Sequence, residues 1–534
     1  MADRSRPGAA PHGVLRPALA VASLVPLAVA GTALALSEPH EPVPVQHQEV
    51  TAQEGARTAV CPGALQLPED LAERTSDDDL GLVPPAEAVA VRTISLEPAS
   101  SLLFGSVNPS TTLQEDDGSV RHPTIWTLDA DGEVLGDDAE ATDLGLAAQR
   151  QEKVTGPSRV VTAASQGGRP VADSVQSVIT PSGDYRSLVV TRCSEATTSA
   201  GFLGVSTQRG DSSELVLRND TDRPATASVQ LWTAEGPAKM EGRSQVVVPA
   251  HSQERVLLGS VVADEPALGV RVDVVGSPLA MSVQATERDG LTPGGAEILT
   301  PLPDPASDLV IPGVDVAEAE PTVVIANPSG EATTATITVL GPDGPIEDAT
   351  VEDLPLAPGS VITRPLPDLD EGTYAVAISA ADPVQAVARA ERTGKDLPGD
   401  TLGKPVDFTL TSPAPALVSH GITALPATTG PGALSLAATE EAVATVIPLG
   451  ADGGAGKPIE VELDAGRTAT LPAARLGVDG KPAAGISVVP DVPGAVHASW
   501  VQRAEDSDDG VLLSTLPVVP ARGGTDAVTV RLSE

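Results

Sequence analysis

A chain of 534 residues is too long for a single core and points to about four domains with appendages. Its net charge of −40, spread along the chain, removes the basic footprint that nucleic-acid binding needs and repels anionic lipid headgroups. With only 1% aromatic residues any core must be built from Val, Leu, Ile and Ala, and 50 Gly with 50 Pro suit many short strands joined by turns.

The chain opens with an export address. Arg4, Arg6 and Arg16 precede an uncharged run from Ala18 to Leu36, just long enough to span a membrane with the N-terminus inside. Pro26 and Gly31 weaken a helix there without forbidding it. Retention as a signal-anchor is the expectation, with residues 1–36 forming a cytoplasmic tail and a transmembrane helix. The small residues of Ala28-Val29-Ala30 and Ala33-Leu34-Ala35 make cleavage of a signal peptide the alternative. Either way the remainder is exported. Residues 37–60 are rich in Pro, Glu and Gln and read as a solvated stalk.

Beyond the stalk the chain repeats itself at intervals of about 104 to 111 residues. Strand-like runs end near Asn108, Asn219, Asn327 and, more weakly, Ala438. Each is followed by an acidic-Gly turn, at Asp131-Gly132, Glu235-Gly236, Asp343-Gly344 and Asp452-Gly453. Each unit then has a proline before an alternating strand, at Pro170, Pro278, Pro383 and Pro493. That period is one β-sandwich domain. The expected fold is all-β, a tandem array of about four Ig-like β-sandwich modules after the transmembrane helix. Their bounds are 61–205 (divergent, disulfide-bonded), 206–303, 304–410 and 411–534. Module one carries extra residues before its acidic-Gly turn, and Pro-rich linkers fall at 300–307 and 411–419.

Two cysteines in an exported chain most simply pair, so Cys61 and Cys193 are expected to form a structural disulfide. Neither has a CxxC or histidine partner that would suggest catalysis or metal binding.

The layout now carries a resemblance. After the membrane segment come Cys61-Pro62-Gly63, Cys193 and Phe202-Leu203-Gly204, then a strand ending in Asn and the Gly-Pro-Asp-Gly-Pro turn at 341–345. This resembles a family of exported, membrane-anchored actinobacterial proteins catalogued only as a domain of unknown function, over nearly the whole mature chain. Where such proteins often have an aromatic beside the second cysteine, Ala200 and Gly201 stand here ahead of Phe202. The resemblance implies architecture and location; it carries no activity.

Fragments that suggest chemistry each meet a plainer reading. Residues 450–458 approximate a phosphate loop, but Pro458 stands where Ser or Thr should be and no helix follows, so a hairpin turn is expected. Residues 129–133 lack the spacing of a calcium loop and read as an acidic hairpin tip. The acidic runs at 76–80 and 115–117 read as solvated. Arg209-Gly210-Asp211 spells an adhesion tripeptide that is also ordinary turn chemistry. The histidines at 12, 40, 47, 122, 251, 420 and 497 show no metal spacing, and no GxSxG frames a nucleophile. Trp126, Trp232 and Trp500 occupy strand positions and are expected in cores, which disfavours sugar stacking.

The expectation is therefore a non-enzymatic, extracytoplasmic cell-envelope protein, a structural spacer or protein-interaction scaffold. It should have no catalytic, cofactor-binding or metal residues. Its partner would be an envelope protein or glycan, with membrane contact through the N-terminal helix and none with nucleic acid. The alternative is an adhesin or ligand-binding module for envelope polysaccharide or Ca²⁺; a hydrolase with a loop-built site is a third reading. If any unit carries a specific site, module one does, because the insert and the disulfide lie there.

Overall fold

The computed structural model describes residues 50–52, 55–67, 84–108, 113–114, 118–136, 139–165, 168–240, 244–396, 403–427, 430–504, 510–521 and 528–530. The expected membrane segment and most of the expected stalk lie outside the described residues. No helix of the described residues is long and apolar enough to cross a membrane. The chain divides into two units, residues 1–52 with 527–534, and residues 53–526. In the first, Val50–Ala52 pairs antiparallel with Val528–Val530.

In the larger unit, short runs of alternating apolar and polar residues form antiparallel strands throughout, interrupted by brief 3-10 turns such as Ser101–Phe104 and Leu258–Ser260. The strands fall into successive sets of eight, each with the same connectivity. In module two they are Ser199–Val205, Ser212–Asn219, Ala225–Thr233, Gln245–Val248, Ser252–Leu257, Leu268–Gly276, Ala280–Asp289 and Thr292–Leu299. Numbered in that order they form one sheet 1-6-3-4 and a facing sheet 5-2-7-8. Module three keeps this order, from Ala306–Val316 to Val406–Thr411, although its sixth and seventh strands are fused into the single long strand Gly372–Thr393. Module four runs from Gly421–Ala424 to Leu512–Pro517, and module one from Ala56–Cys61 to Ser187–Arg192, in the same order again. An Ig sandwich shares the 2–5 and 3–6 pairings. Here the first strand pairs with the sixth and the seventh with the second, so these two lie on opposite sheets from their Ig places.

Two boundaries move. Residues 56–60, read as stalk, are the first strand of module one and pair with Ser158–Ala163, Arg57 opposite Thr162. The short ARTAVC alternation is hidden by the Pro- and Glu-rich composition before it. Likewise Ser199–Val205, placed in module one, pairs with Leu268–Gly276 and so opens module two.

The expected equivalence of Asn108 is also corrected. In modules two and three the asparagine closing the second strand reaches across to the turn between the fourth and fifth. Asn219 Nδ2 donates to the carbonyls of Arg223, Val248 and Pro249. Asn327 Nδ2 donates to those of Glu331, Leu356 and Ala357. In module one that place belongs to Glu97, whose N–H donates to Gly145 O at 2.8 Å and whose Oε1 accepts from Ser165 N. Asn108 lies beyond, in the insert. Replacing Asn327 by Ala should leave three carbonyls, one of them buried, without this donor and cost about 1–3 kcal/mol in urea unfolding. A loss below about 0.5 kcal/mol would show the turn to be set by the backbone alone.

The modules are not strung out as the period suggests; they pack on one another in cyclic order. The first strand of each lies against the second and seventh strands of the next in modules two to three and three to four, and that of module four lies against module one. Between modules one and two, Gln66 N donates to Gln284 Oε1 at 2.9 Å and Arg255 Nη1 to Leu67 O at 3.0 Å. Glycine permits close passage: a Cβ on Gly313, whose φ is +88°, would sit 3.0 Å from Val501 Cγ2 of module four. The cores follow this arrangement. Ile94, Leu96, Leu102 and Leu188 of module one share one apolar cluster with Leu434, Ile447, Ile486 and Trp500 of module four. Each buried Leu or Ile stabilises by about 1.5–3 kcal/mol. Aliphatic sandwiches poor in aromatic rings thus gain by pooling their cores.

Candidate functional site at the module junction

The eighth strand of each module is the edge of its sheet: Ser187–Arg192, Thr292–Leu299, Val406–Thr411 and Leu512–Pro517. Edge strands leave backbone groups without ladder partners. Here the eighth strands meet in the same cyclic order, and side chains rather than backbone ladders satisfy the edges. Asp407 Oδ2 of module three accepts from Leu513 N of module four at 2.8 Å and from Leu188 N of module one at 3.4 Å. Val190 N donates to Ser514 Oγ at 3.0 Å, and Thr191 Oγ1 to Ile298 O at 2.9 Å. Thr515 Oγ1 lies 3.1 and 2.9 Å from the hydroxyls of Thr409 and Thr411.

Charge is buried among these hydroxyls. Burial pushes Asp407 up to about 7, although the Leu513 N–H, the nearby Arg186 and the Leu188 N–H oppose the shift. Burial, with the Asp407 charge adding to it, holds Glu297 of module two well above the usual carboxylate range. Arg186 of module one is fully buried and donates through Nη2 to Val511 O at 3.2 Å. One step outward, ion pairs cross the contacts. Arg288 meets Asp184 at 2.7 Å. Arg389 grips both oxygens of Glu287 at 2.7 Å and lies 4.2 Å over the Phe408 ring. Asp315 takes Arg392 and Arg503. Arg192 binds Asp173, which also accepts from Ala424 N at 2.9 Å.

Where the eighth strands end, a cavity of about 460 Å³ opens, lined from all four modules. Three of its walls are connectors rich in proline, at Pro301 and Pro303, Pro413 and Pro415, and Pro517 and Pro520. Module one supplies a different wall, with Arg57, Asp173, Arg192, Cys193 and Glu195. Cys61 and Cys193 are joined by a disulfide, which ties the first strand of module one to the end of its eighth. Arg57 and Arg169 both donate to Glu195 Oε1, at 2.9 and 2.8 Å.

The other fragments singled out from the sequence do not gather at this cavity. Residues 450–458 form the turn after the third strand of module four, and Thr142 Oγ1 donates to Gly453 O there. Asp129 Oδ1 accepts from Asp131 N and Glu133 N at 3.0 and 2.9 Å, which makes residues 129–133 a self-capped hairpin tip. Asp211 accepts from Ser206 Oγ and Arg288 N, so the carboxylate of the adhesion tripeptide is engaged inside the fold. The acidic runs at 76–80 and 115–117, with His12, His40 and His47, lie outside the described residues. No group of three or more His, Cys, Asp or Glu among the described residues could hold a metal ion. His251 pairs with Asp222 at 2.8 Å on the surface, and burial lowers His420 and His497. Trp126 is 38% exposed rather than buried, whereas Trp232 packs in a cluster shared with module three. Trp500 is buried, and its Nε1 donates to Gln502 Oε1. Sequence reasoning missed Asp407, Glu297 and Arg186. The available signal was a lone acid inside an otherwise apolar or hydroxyl-bearing final strand, as in VDFTLT and TPGGAEIL.

Among curated proteins none matches the chain. One solved structure, titled "Crystal structure of tetra-tandem repeat in extending region of large adhesion protein", is 12% identical and covers 75% of this chain and 92% of that one. Its TM-score is 0.08, a likeness too slight to argue from. The model of a family described as "Family of unknown function (DUF5719)" matches residues 148–474, from the fifth strand of module one into module four. With more than half its length matched, the chain belongs to that family of unknown function.

Proposed function

We propose that the protein is a non-enzymatic, extracytoplasmic component of the cell envelope, held at the membrane by its N-terminal segment and working as a rigid protein-interaction scaffold. The observation that carries this reading is the cyclic interlock of the modules through their eighth strands and shared cores. A spacer gains reach from modules strung end to end; interlocked modules give up reach for a fixed surface, which favours scaffold over spacer. The buried Asp407 carboxyl holds strands of two other modules, a structural use of a group that a hydrolase would turn toward substrate. The disulfide accords with an oxidising compartment.

The test is protease added to intact cells expressing the full chain with a C-terminal epitope. The epitope should be lost while a cytoplasmic marker survives, and the undigested chain should stay with membranes through a high-salt wash. An epitope protected until the cells are lysed would refute export. Release of separately folded single modules on brief digestion would refute the rigid scaffold.

A further inference from the structure

We propose that the cavity at the module junction is a binding site for an aliphatic carboxylate, its charged end on Arg192 and its chain against Leu302, Leu410 and Leu516. This goes beyond the scaffold reading and stands or falls separately from it.

Four observations converge. Arg192 gives Nε and Nη2 to Asp173, and Nη2 also to Thr423, while Nη1 has no hydrogen-bond partner among the described residues. A guanidinium already fixed on one side presents its remaining N–H groups in a set direction, which suits a carboxylate. Second, Glu297 lines the same cavity and is almost fully buried, and its Oε2 has no hydrogen-bond partner among the described residues. Burial raises this carboxyl well above the usual carboxylate range, which favours its neutral form and weakens the charge that would repel an anion. Third, a second arginine, Arg57, lines the same cavity in a protein of net −40. Fourth, the remaining lining mixes aliphatic, proline and hydroxyl side chains with no aromatic ring, leaving nothing for a sugar or flat ring to stack on. The cavity volume falls within the range of small-molecule sites.

Such a carboxylate could be an acyl chain or the C-terminus of an aliphatic peptide, and the two sources are separable. The full chain would be titrated calorimetrically with sodium decanoate, with decanol, and with the peptide Ala-Ala-Val-Leu as free acid and as C-terminal amide. At least one acid should bind with one site per chain, while its uncharged counterpart binds at least about tenfold more weakly. Which acid binds identifies the source. Arg192→Gln should weaken binding by at least about tenfold. Because that change also strips Asp173 of its partner, Leu302→Trp provides a second variant that fills the apolar end and leaves every polar group in place. It should abolish binding with the melting temperature retained. Absence of heat from both acids at millimolar concentration would overturn the proposal, as would equal binding of acid and uncharged counterpart. Undiminished binding by Leu302→Trp would overturn it too.

Discussion

Replacing Asp407 by alanine should destabilise the protein by about 3–5 kcal/mol, more than any other single change at the junction. The carboxylate is the shared acceptor for N–H groups of two other modules and interacts with the charge of the buried Arg186. Urea unfolding of the full chain measures the loss, and a cost under about 1 kcal/mol would show that the eighth strands hold one another without it. Asp407→Asn separates charge from shape, because it keeps an acceptor oxygen. Folded, the carboxyl titrates near 7, against an ordinary value of 3.8. The folded chain therefore holds the extra proton between those values, and this group's contribution to stability falls as pH rises from about 4 to 7 and is flat above. The full effect is at most about 4 kcal/mol. The wild type should melt higher at about pH 5.5 than at about pH 8, and Asp407→Asn should flatten that difference. General relief of charge repulsion in so acidic a chain, and the raised Glu297 carboxyl, would persist in the variant, so an unchanged slope would assign the pH effect to those groups rather than to Asp407.

The second large effect is expected from the disulfide. Its half-cystines are separated by 132 residues, and opening a loop of that length releases about 4–5 kcal/mol worth of constraint on the unfolded chain. Cys61→Ala with Cys193→Ala should therefore lower the urea midpoint about as much as Asp407→Ala. The site of first failure should differ. Without the bridge, the short first strand Ala56–Cys61 is held mainly by its pairing with Ser158–Ala163, and trypsin should cut after Arg57 before it cuts anywhere in modules two to four. Early cleavage elsewhere would mean that the bridge is incidental to that strand.

What could be read beforehand was whatever local chemistry fixes. The four acidic-Gly pairs all fall at the turn after the third strand, and Pro170, Pro278 and Pro493 shortly precede the seventh, because turn residues act within a few positions of themselves. Pro383 marks the same point inside the long strand Gly372–Thr393. Register failed where a different residue holds the same place: Glu97 stands where modules two and three have a strand-closing asparagine, and the insert behind it moved the apparent match to Asn108. The insert itself was visible, but its purpose was not. Leu102 and Leu103 within it pack into the core shared with module four, a partner more than three hundred residues away. The site was illegible for the same reason. Asp407 and Glu297 read as ordinary outward-facing polar residues of alternating strands, and only the meeting of edges from different modules buries them. Trp126 shows the converse, an apolar strand residue left 38% exposed among the described residues.

The apolar cluster joining modules one and four sets an order of events during synthesis. A chain that emerges N-terminus first presents Ile94, Leu96 and Leu188 long before Leu434, Ile447 and Ile486 exist. The first module must wait, partly uncovered, for the last. Closing contacts over such separations is slow, and an exposed apolar face in the meantime invites aggregation. Truncation from the C-terminus should accordingly harm the N-terminal module most, and production of this protein should depend on holding chaperones more than its modest sandwich size would suggest.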